Sequence, residues 1–289
     1  MKPARALFAL VLVVPSILAG APSAAAGEKK KRCHAGDKAA LLAVKAALGD
    51  PYLLASWTPD TSCCDDWYDV SCDGATGHLT SLAFHHLPGI TGPIPPAIAK
   101  LPGLSMLTIS WTGVSGPVPS FLGSLTRLTF LDLSFNSLSG SIPASLAALP
   151  NLSGINLSRN RLSGPIPTGL FSSSDVSRNA LSGDASVLFG AGKALQYADL
   201  SRNALSFNLS ALELPERQLV GVDWSYNAIY GGIPPQVANM TGLQQFNVSY
   251  NRLCGQVPLF AANIAARFDV FSFQHNKCLC GTPLPTPCK

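Results

Sequence analysis

The sequence predicts an α/β solenoid, a right-handed superhelix of short repeats with one parallel concave β-sheet and a disulfide-capped end on each side. Three observations predict it. Asparagines recur at Asn136, Asn160, Asn179, Asn203, Asn227 and Asn251, at intervals of 24 residues with one interval of 19. Apolar residues keep fixed places around each, as in LTFLDLSFNSLSGSIP (128–143) and LSGINLSRNRLSGPIP (152–167). Eight cysteines fall into two groups, Cys33, Cys63, Cys64 and Cys72 near the start and Cys254, Cys278, Cys280 and Cys288 at the end.

The first element is a targeting segment. Lys2 and Arg5 precede a short apolar stretch broken by Pro15, and the small residues Ala24-Ala25-Ala26 offer an A-x-A cleavage site. Residues 1–26 therefore read as a signal peptide, too short to span a bilayer as a stable helix. No later stretch is long and apolar enough for a membrane span, so the mature protein is expected in the secreted, extracellular space.

Residues 27–78 read as an N-terminal cysteine cap with a helix. Asp37 is expected to start an amphipathic helix with Leu41, Val44 and Leu48 on one face, ended by Gly49 with Pro51 beyond. Trp57 and Trp67 complete the cap. In an exported chain an even number of cysteines at each end reads as disulfides. Four cysteines allow three pairings, and the one with a vicinal Cys63–Cys64 bridge is strained and discounted; among the rest the preferred set is Cys33–Cys63, Cys64–Cys72, Cys254–Cys278 and Cys280–Cys288. A metal site at His275, Cys278 and Cys280 is discounted, because an oxidising compartment removes the thiolates.

Residues 79–258 hold eight repeats. Beyond the six asparagines, LSMLTISWTGVSGPVP carries Thr112 at the equivalent position and LTSLAFHHLPGITGPIP carries Leu87. The pattern L-x-x-L-x-L-x-x-N-x-L-x-G-x-I-P buries a core only when each turn stacks a short parallel strand on the last, which makes this a leucine-rich-repeat superhelix. The asparagine amides are expected to form a ladder on backbone groups at the turn out of each strand. Residues 259–289 read as a divergent ninth turn, FDVFSFQHNKCLCG, merging with the C-terminal cysteine cap.

Composition limits the partner. Charged residues make up 12% of the chain, with 25 Gly and 23 Pro, and the formal charge of +4 falls to +2 once Lys2 and Arg5 are cleaved off. No basic stripe continues beyond Lys29-Lys30-Lys31-Arg32, which argues against nucleic acid. Weak attraction to pectin or another acidic wall polysaccharide is compatible with this charge.

Several segments carry a more specific resemblance. LLASWTPDTSCCDDWYDVSCD looks like the N-terminal cap of plant extracellular leucine-rich-repeat proteins. FHHLPGITGPIPPAIAKLPGL, ISWTGVSGPVPSFL, RNALSGDASVLFG, LSRNALSFNLS and NVSYNRLCGQVP resemble the polygalacturonase-inhibiting proteins, from about Cys33 to Lys289. The resemblance implies a cell-wall or apoplastic glycoprotein of plant defence that binds microbial, in particular fungal, endo-polygalacturonase and inhibits it. Such proteins carry ten repeats where eight occur here. At strand spacings of about 4.8 Å, two fewer strands shorten the sheet by about 10 Å.

Strand alternation places the residues two, four and six before each asparagine toward solvent. Two before is serine in every turn, Ser110 to Ser249, a repetition that suits a structural role. Four before lies an acidic stripe, Asp132, Asp175, Asp199 and Asp223, with Thr108, Asn156 and Asn247 between. Six before come Met106, Phe130, Gly154, Tyr197, Gly221 and Gln245. Immediately before the asparagine stand Trp111, Phe135, Arg159, Arg178, Arg202, Tyr226 and Tyr250, the arginine and aromatic chemistry of interface hot spots. The expected partner-binding set is Trp111, Asp132, Phe135, Arg159, Asp175, Arg178, Tyr197, Asp199, Arg202, Asp223, Tyr226 and Gln245, with its main zone from Asp175 to Tyr226.

Catalysis is not expected. Paired carboxylates on adjacent turns satisfy the separation glycoside hydrolysis needs, but an open sheet has no pocket to raise one pKa or exclude water. No histidine and acid recur beside the serines as a triad would require. His85 and His86 are expected on opposite sides of their strand, which argues against joint metal ligation. No cofactor is expected. Sequons stand at Asn151, Asn156, Asn208, Asn239 and Asn247, two of them in the exposed column. Two functions follow, inhibition of a pectin-degrading hydrolase or a non-inhibitory signalling or developmental interaction in the apoplast.

Overall fold

The computed structural model describes residues 33–169, 173–190, 194–260 and 267–288, so the expected signal peptide lies outside it. Helix α1 (Ala35–Ala47) buries Ala40, Leu41 and Val44 on one face, and Gly49 turns the chain away at φ 79°. The helix begins ahead of Asp37, contrary to the expectation that Asp37 opens it. The physical reason lies across the cap. Asp37 is 1% exposed in the first turn, and its Oδ2 accepts the Leu79 N–H at 2.7 Å, satisfying a buried amide at the start of the first long strand.

The cap is closed by aromatic and covalent contacts. Trp57 and Trp67 stack at 5.1 Å, and their indole N–H groups donate to the Tyr68 carbonyl and the Thr61 hydroxyl. Disulfides join Cys33 to Cys63, Cys64 to Cys72, Cys254 to Cys278 and Cys280 to Cys288, the preferred pairing at both ends.

A nine-stranded sheet organises the body. Val70–Cys72 lies antiparallel at its edge, followed by eight parallel strands: Leu79–His85, Met106–Ser110, Phe130–Asp132, Gly154–Asn156, Ser173–Asp175, Tyr197–Asp199, Gly221–Asp223 and Gln245–Asn247. This is a leucine-rich-repeat solenoid. The central residue of each short strand points inward. Leu131, Ile155, Ala198, Val222 and Phe246 are all 2% exposed or less, stacked turn upon turn into one core. A second parallel sheet of six short strands follows the asparagines, from Thr91–Gly92 to Ala204–Leu205.

Asparagines tie the two sheets together. The Asn203 amide donates to the carbonyls of Val176, Leu200 and Ser201, while its oxygen accepts the Leu181 N–H at 3.0 Å. Asn136, Asn160, Asn179, Asn227 and Asn251 repeat this donation to their own and the preceding turn. Successive asparagines thus share carbonyls, so that Val176 accepts from Asn179 and Asn203 and Leu200 from Asn203 and Asn227.

The interval between Asn160 and Asn179 is short, yet the long sheet is uninterrupted there. Ser173–Asp175 pairs in register with both Gly154–Asn156 and Tyr197–Asp199. The short interval therefore leaves the strand register unchanged. At Phe207-Asn208, where most other repeats carry a Gly-x-Ile-Pro or Gly-x-Val-Pro stretch, the second sheet ends, and a bridge from Asn208 to Tyr230 with the Tyr230 N–H on the Phe207 carbonyl leads to the last three short strands. Gly231 is required beside it, because a Cβ there would lie 2.1 Å from the Asn208 Oδ1.

Candidate binding face

Six strands of the long sheet, from Phe130–Asp132 to Gln245–Asn247, end at the column of aspartates and asparagines, and each of these side chains caps the turn that follows. Asp132, Asp175, Asp199 and Asp223 each accept, through Oδ1, the N–H two residues on, at 2.9 Å. Asn156 and Asn247 do the same for Ser158 and Ser249. This local closure accompanies the inward placement of six of the serines, whereas Ser110 is buried within a strand that continues to it. The serine column, expected to face solvent, is instead 0 to 7% exposed across Ser110, Ser134, Ser158, Ser177, Ser201, Ser225 and Ser249. The rows that reach solvent are the half-buried acids, the side chains of the column six before the asparagine, and the residue just before it.

That last residue is left-handed in every turn. His86, Trp111, Phe135, Arg159, Arg178, Arg202, Tyr226, Tyr250 and His275 all have φ between 53° and 58°. A non-glycine residue in this conformation costs about 1 kcal/mol, which the asparagine bonds one residue on offset. Sharing one conformation, these side chains line up along one edge of the sheet. His86 stacks on Trp111 at 4.9 Å and Trp111 on Phe135 at 3.8 Å. Arg159 sits over the Phe135 ring at 4.6 Å, and Arg202 over Tyr226 at 3.9 Å. Tyr226 stacks on Tyr250 at 4.0 Å and Tyr250 on His275 at 4.2 Å. His85 and His86 do not lie on opposite sides of a strand. The strand stops at His85, His86 turns left-handed, and their rings meet edge to face at 4.3 Å.

The third exposed row pairs rings with glycines. A Cβ on Gly154 would lie 2.8 Å from the Phe130 ring, and one on Gly221 would lie 2.7 Å from the Tyr197 ring. Each aromatic therefore lies down across the glycine of the next turn. Tyr197 reaches over Gly221 to donate its hydroxyl hydrogen to Gln245 Oε1 at 3.1 Å. An aromatic in one turn with glycine at the same place in the next is the sequence signal for these flat platforms. His86 and His275, the two ends of the stacked row, are absent from the contact set expected from the sequence.

Charge concentrates at the centre. Asp175, Asp199 and Asp223 are direct neighbours on three paired strands. Burial pushes the Asp199 carboxyl up to about 6, with Asp175 and Asp223 adding to the rise and hydrogen bonds from Ser201 opposing it. Arg178 stands beside this trio. Its partial burial, and then Arg159 and Arg202, draw its pKa down, while Asp199 and Asp175 oppose. An exposed strip of alternating sign and stacked rings can recognise a protein surface of complementary charge, but it has no walls to enclose a small substrate. Of the sequons, Asn151, Asn208 and Asn239 are exposed, whereas Asn156 and Asn247 are half-buried and hydrogen-bonded within the acidic column.

Comparisons with known proteins agree with this architecture. A leucine rich repeat N-terminal domain profile matches residues 34–73, and a leucine rich repeat profile matches residues 127–149 and 151–173. A polygalacturonase inhibitor of Pyrus communis is 46% identical over 104 residues, which cover 28% of this chain and 31% of that protein. Polygalacturonase inhibitor 1 of Oryza sativa subsp. japonica is 36% identical over 131 residues, covering 37% and 38%. The matched stretch thus spans about a third of the length of these curated relatives. Among solved structures, a plant ice-binding protein is 38% identical, with 89% of this chain and 99% of that one covered at a TM-score of 0.66. The ectodomain of the plant receptor kinase GASSHO1/SCHENGEN3 from Arabidopsis thaliana shares 26% identity over 82% of this chain and 32% of its own, at a TM-score of 0.61.

Proposed function

From the premise that this chain belongs to the plant leucine-rich-repeat family of polygalacturonase-inhibitor-like proteins, we propose that it is a secreted inhibitor of fungal endo-polygalacturonases, docking through its concave sheet. It is a binding protein and not an enzyme. No helix among the described residues is long and apolar enough to cross a membrane.

One observation carries the reading, the Asp175–Asp199–Asp223 trio set beside Arg178, Arg202 and Tyr226. An enzyme that holds a polyanionic pectin chain needs cations in its cleft. A line of carboxylates across three strands complements such a cleft, while the adjacent cation-stacked ring supplies a desolvated anchor. The eight parallel strands keep this centre intact, because the short interval leaves the strand register unchanged.

The plant ice-binding neighbour raises a second activity, but Trp111, Phe130 and Tyr197 are 45%, 39% and 37% exposed and interrupt any flat regular array on this face. The test is inhibition of pectin hydrolysis by a panel of purified fungal endo-polygalacturonases, with an ice-recrystallisation assay in parallel. Inhibition of at least one enzyme is expected. No inhibition and no binding across the panel would shift the role to a non-inhibitory apoplastic interaction.

A further inference from the structure

The N-terminal cap holds a cluster that the binding face does not use. His34 precedes α1, Asp37 lies in its first turn, and His78 leads into the strand Leu79–His85. The two imidazoles stack at 3.9 Å, and each turns its Nδ1 to the Asp37 carboxylate at 3.2 Å. Asp37 is 1% exposed, whereas His34 and His78 are 45% and 31% exposed, so one side of the cluster opens to solvent.

The scaffold is fixed on every side. The His34 N–H donates to the Gly77 carbonyl at 2.9 Å, and its neighbour Cys33 is bridged to Cys63. The His78 carbonyl accepts the Asp73 N–H at 2.8 Å, and Gly103 of the next turn packs so closely that a Cβ there would sit 3.0 Å from the His78 Cβ. Asp37 Oδ2 is held by the Leu79 amide at 2.7 Å, His34 faces Oδ1, and His78 lies 3.2 Å from both oxygens.

The distances fit two uses of this arrangement. A charge-assisted N–H···O bond runs about 2.7 to 2.9 Å. Ligands about 2.1 Å from a tetrahedral ion stand about 3.4 Å apart. The separation of 3.2 Å at both histidines is as long as an ordinary N–H···O bond becomes and is close to the spacing of two ligands, so the same positions serve either use. The three donor groups all lie within 4.8 Å of one another, and two imidazoles with one carboxylate suit a borderline divalent ion. The backbone bond to Asp37 Oδ2 orients the carboxylate as the outer-shell partner of a ligand does.

We propose that His34, Asp37 and His78 bind a divalent transition-metal ion of the Zn²⁺ type, clipping α1 to the first strand of the long sheet. Water completes the coordination on the open side. The ion enters through Nδ1, so each neutral ring carries its proton on Nε2, and binding displaces a proton from any ring that is protonated.

The test uses the intact, disulfide-bonded mature protein, stripped with a chelator and titrated calorimetrically with ZnCl₂ at pH 7. One ion per chain is expected, with a rise in Tm of several degrees at saturating zinc. His34→Gln and His78→Gln should each weaken binding at least tenfold while leaving the zinc-free Tm within about a degree, and a pH of 5 should weaken it similarly. His85→Gln/His86→Gln controls should bind as the parent does. The proposal is overturned by the absence of heat and Tm shift at 100-fold zinc excess, or by undiminished binding in the His34 and His78 variants. It is equally overturned if those variants lower the zinc-free Tm by the whole zinc effect, which would identify hydrogen bonds only.

Discussion

Arg202 holds its guanidinium carbon 3.9 Å from the centroid of the Tyr226 ring, one turn further along the solenoid. Both residues have φ of 57°, so the contact comes from two identical backbone turns placed one strand apart. A double-mutant cycle with Arg202→Ala and Tyr226→Ala should give a coupling of about 0.5 to 1 kcal/mol in urea denaturation. Additive effects would mean that the pair does not interact in solution.

Asp199 makes stability depend on pH in the sense opposite to a salt-bridged acid. Its folded pKa is raised from 3.8 to about 6, so between these values the folded chain binds a proton that the unfolded chain releases. The contribution is fully present below 3.8 and is lost as pH rises through about 6. Partial exposure reduces it to on the order of 1 to 2 kcal/mol. Denaturation curves at pH 4, 5, 6 and 7 should show stability falling across that window, and Asp199→Asn should flatten the fall. An unchanged slope in the variant would assign the dependence to another group.

Asn203 satisfies three carbonyls and one amide. Asn203→Ala leaves the Leu181 N–H without its partner and takes one of two donors from each of the Val176, Leu200 and Ser201 carbonyls, and should cost about 1 to 2 kcal/mol. Hydrogen exchange should rise first around Val176, Leu181 and Leu200. A loss below about 0.5 kcal/mol would show that water replaces the amide at no net cost.

Gly221 is the bed on which Tyr197 lies, with space for no Cβ within 2.7 Å of the ring. Gly221→Ala should lift the ring, break the Tyr197–Gln245 bond and weaken partner binding several-fold with little loss of stability. Gly242, which has nothing within 4 Å of its Cβ position, supplies the control Gly242→Ala. Equal effects of the two substitutions on binding would remove the platform from the account.

The repeat and the asparagine ladder were legible because each follows from spacing, while the disulfide pairing was a preference among the pairings left once the vicinal bridge is discounted. The 24-residue interval fixes which residues stack, and two cysteine clusters leave few pairings. The orientation of the serines was not legible. Alternation predicts that Ser134 faces out, but the Asp132 carboxylate captures its amide and the serine lies inward at 3% exposed. Period-two reasoning holds only while the strand continues, and here the strand ends at the acid. Asp37 was misplaced for a similar reason, since its role is set by the Leu79 amide, far along the chain. His86 and His275 joined the stacked row only once the shared left-handed turn placed their rings.

The central claim is that the charged and stacked centre of the sheet engages a pectin-degrading hydrolase. Residual pectin hydrolysis should be measured for an endo-polygalacturonase mixed with the wild-type protein or with Arg178→Ala/Arg202→Ala/Tyr226→Ala, both checked for intact disulfides and equal secondary structure. The account predicts inhibition by the wild type and at least a tenfold weaker effect for the triple variant. Equal inhibition by the two proteins would contradict it.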